Sequence, residues 1–274
     1  MKKLGCLLAA AALLVGCNKN YTAYALTSTG TILKFETNKP ATVTSSASVS
    51  GLSSGVGLAA IAYQPSSGTL YCVTSANTLC TVNPDTGVAA LVSTTSATFF
   101  TGTLSGQTAS FDPVVNQLRV ITAQQNLRVN PADGTQANAG TAVAYDSSDT
   151  NNGKSPQIAA IAYNNQTSSA ANATLYALDS TTGSLVRVGD SGTSSTTSAD
   201  SGDLHTVGSV GVSFNTSAGF VVEQVHGTAY AALQQSGSGA VLYTIDLSSG
   251  AATSVGAIGD GQQTLIGLVV PPGQ

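Results

Sequence analysis

The feature that most restricts the fold of this chain is a fivefold internal repeat with a period of about 50 residues, the signature of a propeller or a solenoid. Its first element is an apolar segment with a small residue just before a large one: Ala62-Tyr63, Ser110-Phe111, Ala162-Tyr163, Ser213-Phe214 and Gly267-Leu268. The small residues are spaced by 48, 52, 51 and 54 positions. A second, strand-like element recurs as Thr22-Ala23-Tyr24, Thr69-Leu70-Tyr71, Gln117-Leu118-Arg119, Thr174-Leu175-Tyr176 and Thr228-Ala229-Tyr230. The third is a strand ending in an Asx and glycine turn: Val82 to Gly87, Val129 to Gly134 and Ile245 to Gly250, with Asp179 to Gly183 as a variant.

Four short strands per unit of this length predict an all-β, five-bladed β-propeller of four-stranded blades. The 29 Gly, 8 Pro and many Ser and Thr agree, because they leave no window suited to a long helix. The first repeat lacks a leading apolar segment, and the last apolar segment, from Gly267 to Val270, lacks a follower. Pairing that segment with strands from residues 21–56 would close the ring through the two ends of the chain. Residues 21–274, read as one domain, divide into five units of about 51 residues. A β-sandwich or an irregular solenoid would also accommodate the strand pattern.

The N-terminus reads as an address. Lys2 and Lys3, the apolar run from Leu4 to Val15, and Leu14-Val15-Gly16-Cys17 match the signal peptide and lipobox of a bacterial lipoprotein. The expectation is a signal peptide over residues 1–16, removed together with Cys6, then lipidated Cys17 and a short tether over 17–20. Three acyl chains would hold the body to a membrane, at an extracytoplasmic face of a bacterial cell envelope. Asn18, rather than Asp, after the cysteine points to the outer membrane or surface in a Gram-negative host. Removing Lys2 and Lys3 from nine basic residues leaves seven against 13 acidic ones, a net charge near −6. That balance excludes a nucleic-acid footprint and an anionic-lipid surface.

Tyr24-Ala25-Leu26, Leu70-Tyr71 with the run Thr81 to Gly87, Leu118-Arg119-Val120, Gln125 to Arg128 and Asp149-Thr150-Asn151-Asn152-Gly153 resemble the bacterial domain-of-unknown-function family 4394. The resemblance covers nearly all of the expected mature chain. It implies a secreted or anchored propeller-type domain and no particular activity. At Asn116-Gln117 the chain departs from the family pattern, which has Asp-Arg there.

Candidate sites are few. Cys72 and Cys80 flank a loop at Ser75-Ala76-Asn77 that would set them opposite each other on a hairpin, as a disulfide in an oxidising compartment or as two buried thiols. Arg119 breaks a column that is Tyr in the other four repeats, and hairpin counting puts it opposite Arg128. Like charges there require an acid or an anion between them. An anion or carboxylate site with Gln125 and Asn126 is one reading; pairing of Arg119 with an acid such as Asp112 is the other. Asp149 and Asn151 alternate before Gly153 like the opening of a calcium loop, without its closing Glu. No cofactor is expected, and His205 and His226 read as blade-edge residues.

Two classes of function remain. A five-bladed glycosidase would need carboxylates around the axis, and the inner-strand columns offer only Asp112; the chain has no Trp to stack on a sugar. A monomeric, lipid-anchored binding or scaffold protein, presenting loops to a protein or glycan partner, needs fewer special groups. The reading is therefore a non-enzymatic binding protein, with a small-ligand or ion-binding module or a glycan hydrolase as alternatives.

Overall fold

The computed structural model describes residues 20–93, 108–122, 125–168, 170–189 and 198–273. The expected signal peptide and Cys17 lie outside them. In chain order the strands are β1 (Thr22–Thr27), β2 (Thr31–Glu36), β3 (Lys39–Ser48), β4 (Leu58–Tyr63), β5 (Leu70–Thr74), β6 (Leu79–Val82), β7 (Ala89–Leu91), β8 (Thr108–Asp112), β9 (Gln117–Ile121), β10 (Asn126–Val129), β11 (Gln136–Gly140) and β12 (Ala144–Tyr145). They continue as β13 (Ile158–Tyr163), β14 (Leu175–Asp179), β15 (Ser184–Val188), β16 (Asp203–Ser209), β17 (Ala218–Val222), β18 (Ala229–Leu233), β19 (Val241–Ile245), β20 (Ala252–Ala257) and β21 (Leu265–Val269). They form five sheets, β4 to β7, β8 to β11, β13 to β16, β17 to β20, and β21 with β1 to β3, which are the blades of a five-bladed propeller, first to fifth.

Closure is by the two ends of the chain. β21 pairs antiparallel with β1, Tyr24 opposite Val269, and the inner strands β4, β8, β13, β17 and β21 contact one another in a ring. Five apolar clusters form the core between the blades. Phe111 packs with Val73 and Leu79, Phe220 with Leu178 and Leu185, and Tyr21 with Tyr230 and Val270. Each blade thus buries the face of its neighbour, which no isolated four-stranded sheet of this size does.

The repeat columns coincide with strand register. Tyr24, Tyr71, Arg119, Tyr176 and Tyr230 stand opposite Lys34, Thr81, Arg128, Arg187 and Thr244. The turns after β6, β10 and β19 close alike: the carbonyls of Asn83, Asn130 and Asp246 accept the N–H of Gly87, Gly134 and Gly250, whose φ angles are 74°, 73° and 83°.

Three placements differ from the sequence reading. Ser213-Phe214 precedes the inner strand of the fourth blade, which is Ala218–Val222. Val269, not Gly267, stands opposite the column tyrosine of the fifth blade. Asp179 to Gly183 joins the second and third strands of its blade rather than the third and fourth. The third blade also carries β12, parallel to β16, which the repeat did not announce.

With register corrected, the column nearest the axis reads Ala60, Thr108, Ala160, Gly219 and Gly267. Its members are small because five strands converge there. At Gly219, a Cβ would lie 2.5 Å from the Cβ of Leu268. Hydroxyls near this column also serve inner edges that have no further strand to pair with. Ile161 N–H donates to Thr108 Oγ1 at 2.8 Å and Tyr163 N–H to Ser110 Oγ at 3.1 Å.

Candidate functional site

Where the inner strands end, they surround an axial funnel that opens to solvent. A narrower stretch, past Ala60, Thr108, Ala160, Gly219 and Gly267, continues along the axis. The funnel wall is made by Ala62, Ala109, Phe111, Phe220, Val221 and Leu268, with Pro65 and Pro272 also among its lining residues. None of the residues lining it is charged. Its polar lining is Tyr63, Ser110, Tyr163, Gln166 and Gln224, of which Ser110 accepts from Tyr163 N–H, Tyr163 Oη accepts from Arg119 Nε, and Gln166 Nε2 donates to the carbonyls of Phe111 and Tyr163. What this geometry offers a ligand is a concave apolar wall, the ordinary character of a small-molecule site.

Two carboxylates lie at the ends of inner strands, Asp112 as the last residue of β8 and Glu223 just after β17, and neither lines the funnel. Asp112 is fully buried, and its Oδ1 accepts from Val114 N–H at 3.0 Å and Val115 N–H at 3.4 Å. Burial pushes its pKa up, against the opposing charge of Arg119. Glu223 was missed in the sequence because the inner strand before it had been placed at Ser213-Phe214. The available signal was Gly227-Thr228, which repeats Gly68-Thr69: Gly68 N–H bonds to Gln64 O, and Gly227 N–H to Glu223 O. Counting back from Gly227 aligns Glu223 with Gln64, the residue after an inner strand.

Glu223 is buried and holds its turn by accepting from Val225, His226 and Thr228 N–H groups at 2.7 to 2.9 Å. Its burial acts to raise the pKa, and these donors together outweigh it, so the carboxyl sits below its ordinary 4.5. A folded value below the unfolded one gives stability that is present above about pH 4.5 and lost as the pH falls. Glu223→Gln should therefore flatten the acid limb of the stability curve, read from thermal melts between neutral and acid pH. An acid limb identical to the parent's would show that the turn does not use the charge. Tyr21, at 2.6 Å from His226 Nδ1, packs beside this turn, its phenol pushed up to about 12 by burial and by Glu223. His226 thus sits at a blade junction.

Arg119 and Arg128 face each other across β9 and β10, and the acid between them is Asp200, not Asp112. Arg119 is 0% exposed. Its Nε donates to Tyr163 Oη at 2.8 Å, its Nη1 to Asn126 Oδ1 at 2.6 Å and its Nη2 to Asp200 Oδ1 at 2.6 Å. Arg128 Nη2 and Asn138 Nδ2 donate to Asp200 Oδ2, both at 2.8 Å, while Arg128 Nη1 reaches Gln117 Oε1. Asn126 in turn donates to Ala199 O at 2.7 Å. Gln125 immediately precedes β10, its N–H on Thr122 Oγ1. The position proposed for an external anion is thus taken by a carboxylate of this chain, which bridges the second and third blades.

Cys72 and Cys80 are paired residues of β5 and β6, joined by a disulfide and buried. The connecting loop is 75–78, one residue longer than the reading from sequence. Asp149 and Asn151 form a turn fastened to β16. Asp149 accepts from Thr206 N–H, Thr206 Oγ1 and Asn151 N–H, and Lys154 Nζ lies 2.8 Å from Asn151 Oδ1. The oxygens a calcium ion would need already have donors, one of them a cation. Among the described residues no group of three His, Cys, Asp or Glu side chains is placed to hold a metal ion.

Fold and funnel define a five-bladed β-propeller with an uncharged axial socket. Residues 31–269 match the family described as Domain of unknown function (DUF4394), and the chain belongs to that family. No curated protein matches it. Among solved structures, a protein of unknown function from Bacteroides thetaiotaomicron is similar at 14% identity and a TM-score of 0.50, over 90% of this chain and 62% of that one. A Bacteroides uniformis protein provisionally described as a 6-phosphogluconolactonase matches at 12% identity and a TM-score of 0.39, over 86% and 82% of the two chains. TolB from Acinetobacter baumannii matches at 11% identity and a TM-score of 0.44, over 86% and 52%. At 14% identity the first of these likenesses speaks for the fold alone.

Proposed function

We propose that the protein is a lipid-anchored, extracytoplasmic binding or scaffold protein whose recognition element is the axial funnel. The observation that carries this reading is the funnel wall itself: the five inner strands converge on it, and no residue lining it is charged. A glycosidase needs a pair of carboxylates facing the bond it cleaves. Here Asp112 Oδ1 and the Glu223 carboxylate accept turn N–H groups, and neither residue lines the funnel. Recognition by broad, flat contact is less well supported, because the exposed large hydrophobic residues among those described are only Val88, Leu91 and Val225. The concave apolar wall suits an apolar group of a partner rather than a glycan.

Anchoring rests on Leu14-Val15-Gly16-Cys17. Cys17→Ala should move the protein from the membrane fraction to the soluble fraction of the cell envelope. Binding is tested with an environment-sensitive apolar dye on the intact chain: fluorescence should rise with the parent protein and fall with Ala109→Phe, which fills the funnel. Equal dye binding by parent and variant would remove the funnel as the recognition element.

A further inference from the structure

We infer that the funnel takes one alkyl chain of a lipid from the leaflet that anchors the protein. This rests on the reading of Cys17 as the anchor, and adds to it the face of the disc that meets the membrane. The topology supplies that face. β1 runs antiparallel to β21, so the chain enters the blade beside the end of the last inner strand, at Tyr21. Tyr21 contacts His226 in the turn after β17, and Gln224 of the same turn lines the funnel. Tether and funnel therefore share one face. Four peptide steps separate Cys17 from Tyr21, at most about 14 Å of chain. An anchor this short holds the face that carries it against the headgroups and directs the opposite face away.

The surface of that face agrees. Val88 and Val225, 55% and 52% exposed, both lie on its turns, next to β6 and β17. Pro65 and Pro272 line the funnel close by, and Ala, Val, Ile, Leu and Phe residues make up most of the remaining wall. An alkyl chain needs no hydrogen-bonding partner, and of the polar residues in the lining Ser110, Tyr163 and Gln166 already bond within the protein. A chain drawn from the leaflet exchanges one hydrocarbon environment for another, so the gain is the funnel's own apolar wall leaving water.

The chain contains no Trp, so a single introduced one reports alone. The experiment uses the intact lipidated protein with Phe220→Trp, in phosphatidylcholine vesicles with or without bromine on the acyl chains. Val221→Trp, on the same wall, stands in if the first variant does not fold, and Thr181→Trp marks the opposite face. Bromine quenches only a fluorophore close to it. The expected result is loss of most Trp emission at position 220 or 221 and none at 181. Proteins that float with the vesicles but show equal emission on both lipids would leave the anchor in place and overturn the alkyl-chain occupant. Proteins that fail to float would remove the anchor, and this inference with it.

Discussion

Arg119→Ala should lower the thermal midpoint by about 10 °C or more, the cost of breaking a buried charge network in a domain of this size. The side chain is fully buried and makes three directed bonds, to Tyr163, Asn126 and Asp200. Removing it leaves a phenol, an amide and part of a carboxylate without donors, at roughly 3–5 kcal/mol for a broken buried pair. Arg128 and Asn138 still bond Asp200, which keeps the loss from being larger. Arg119→Lys isolates the part owed to geometry: it keeps the charge, but one ammonium cannot reproduce a planar fork aimed at three acceptors. It should fall between parent and Ala. Because Arg119 is buried, its loss should depend little on salt, whereas a surface pair would be screened. A midpoint within a degree or two of the parent's, by calorimetry, would mean that the second and third blades do not need this bridge.

The network also shows what one sequence can and cannot supply. That Arg119 faces Arg128 followed from hairpin spacing, because neighbouring strands in a blade are joined by short turns and register is local. That the charge between them belongs to Asp200 did not follow: it lies 81 residues from Arg119, in another blade. Contacts within a blade repeat with the sequence period, and contacts between blades do not. The inner strand of the fourth blade was misplaced for a related reason. Ser213-Phe214 imitates the small-large pair, and that dipeptide is weak evidence where nearly every segment contains Ser, Gly or Ala. Turn chemistry was the stronger signal, since Gly68 and Gly227, with φ of 67° and 71°, close the same turn. The lipobox lies in the part of the chain where only sequence speaks. The funnel was not legible, since it is made by one end of five separate strands.

Gly219→Val should destabilise the body by about 3 kcal/mol or more, as overpacking at a rigid site does. Two effects of opposite sign compete. Valine favours a strand and restricts the unfolded chain, which is worth roughly 0.5–1 kcal/mol in its favour. Against that, the added Cβ would lie 2.5 Å from both the Cβ and the backbone N of Leu268. Those atoms cannot step aside, because β21 is held by β1 on its other edge. The two inner strands must separate, and they stand at the seam between the fourth and fifth blades. Gly267 provides the contrast. A Cβ there would meet Ile61 Cγ1 at 2.9 Å, a longer approach than at Gly219 and to a side-chain atom instead of backbone. Gly267→Ala should therefore cost less than Gly219→Ala, measured as the difference in midpoint between the two variants. If both are tolerated equally, the ring widens without strain, and the small-residue column does not set its diameter. If the order holds, the same glycine that lets the ring close also sets the width of the axis below the funnel.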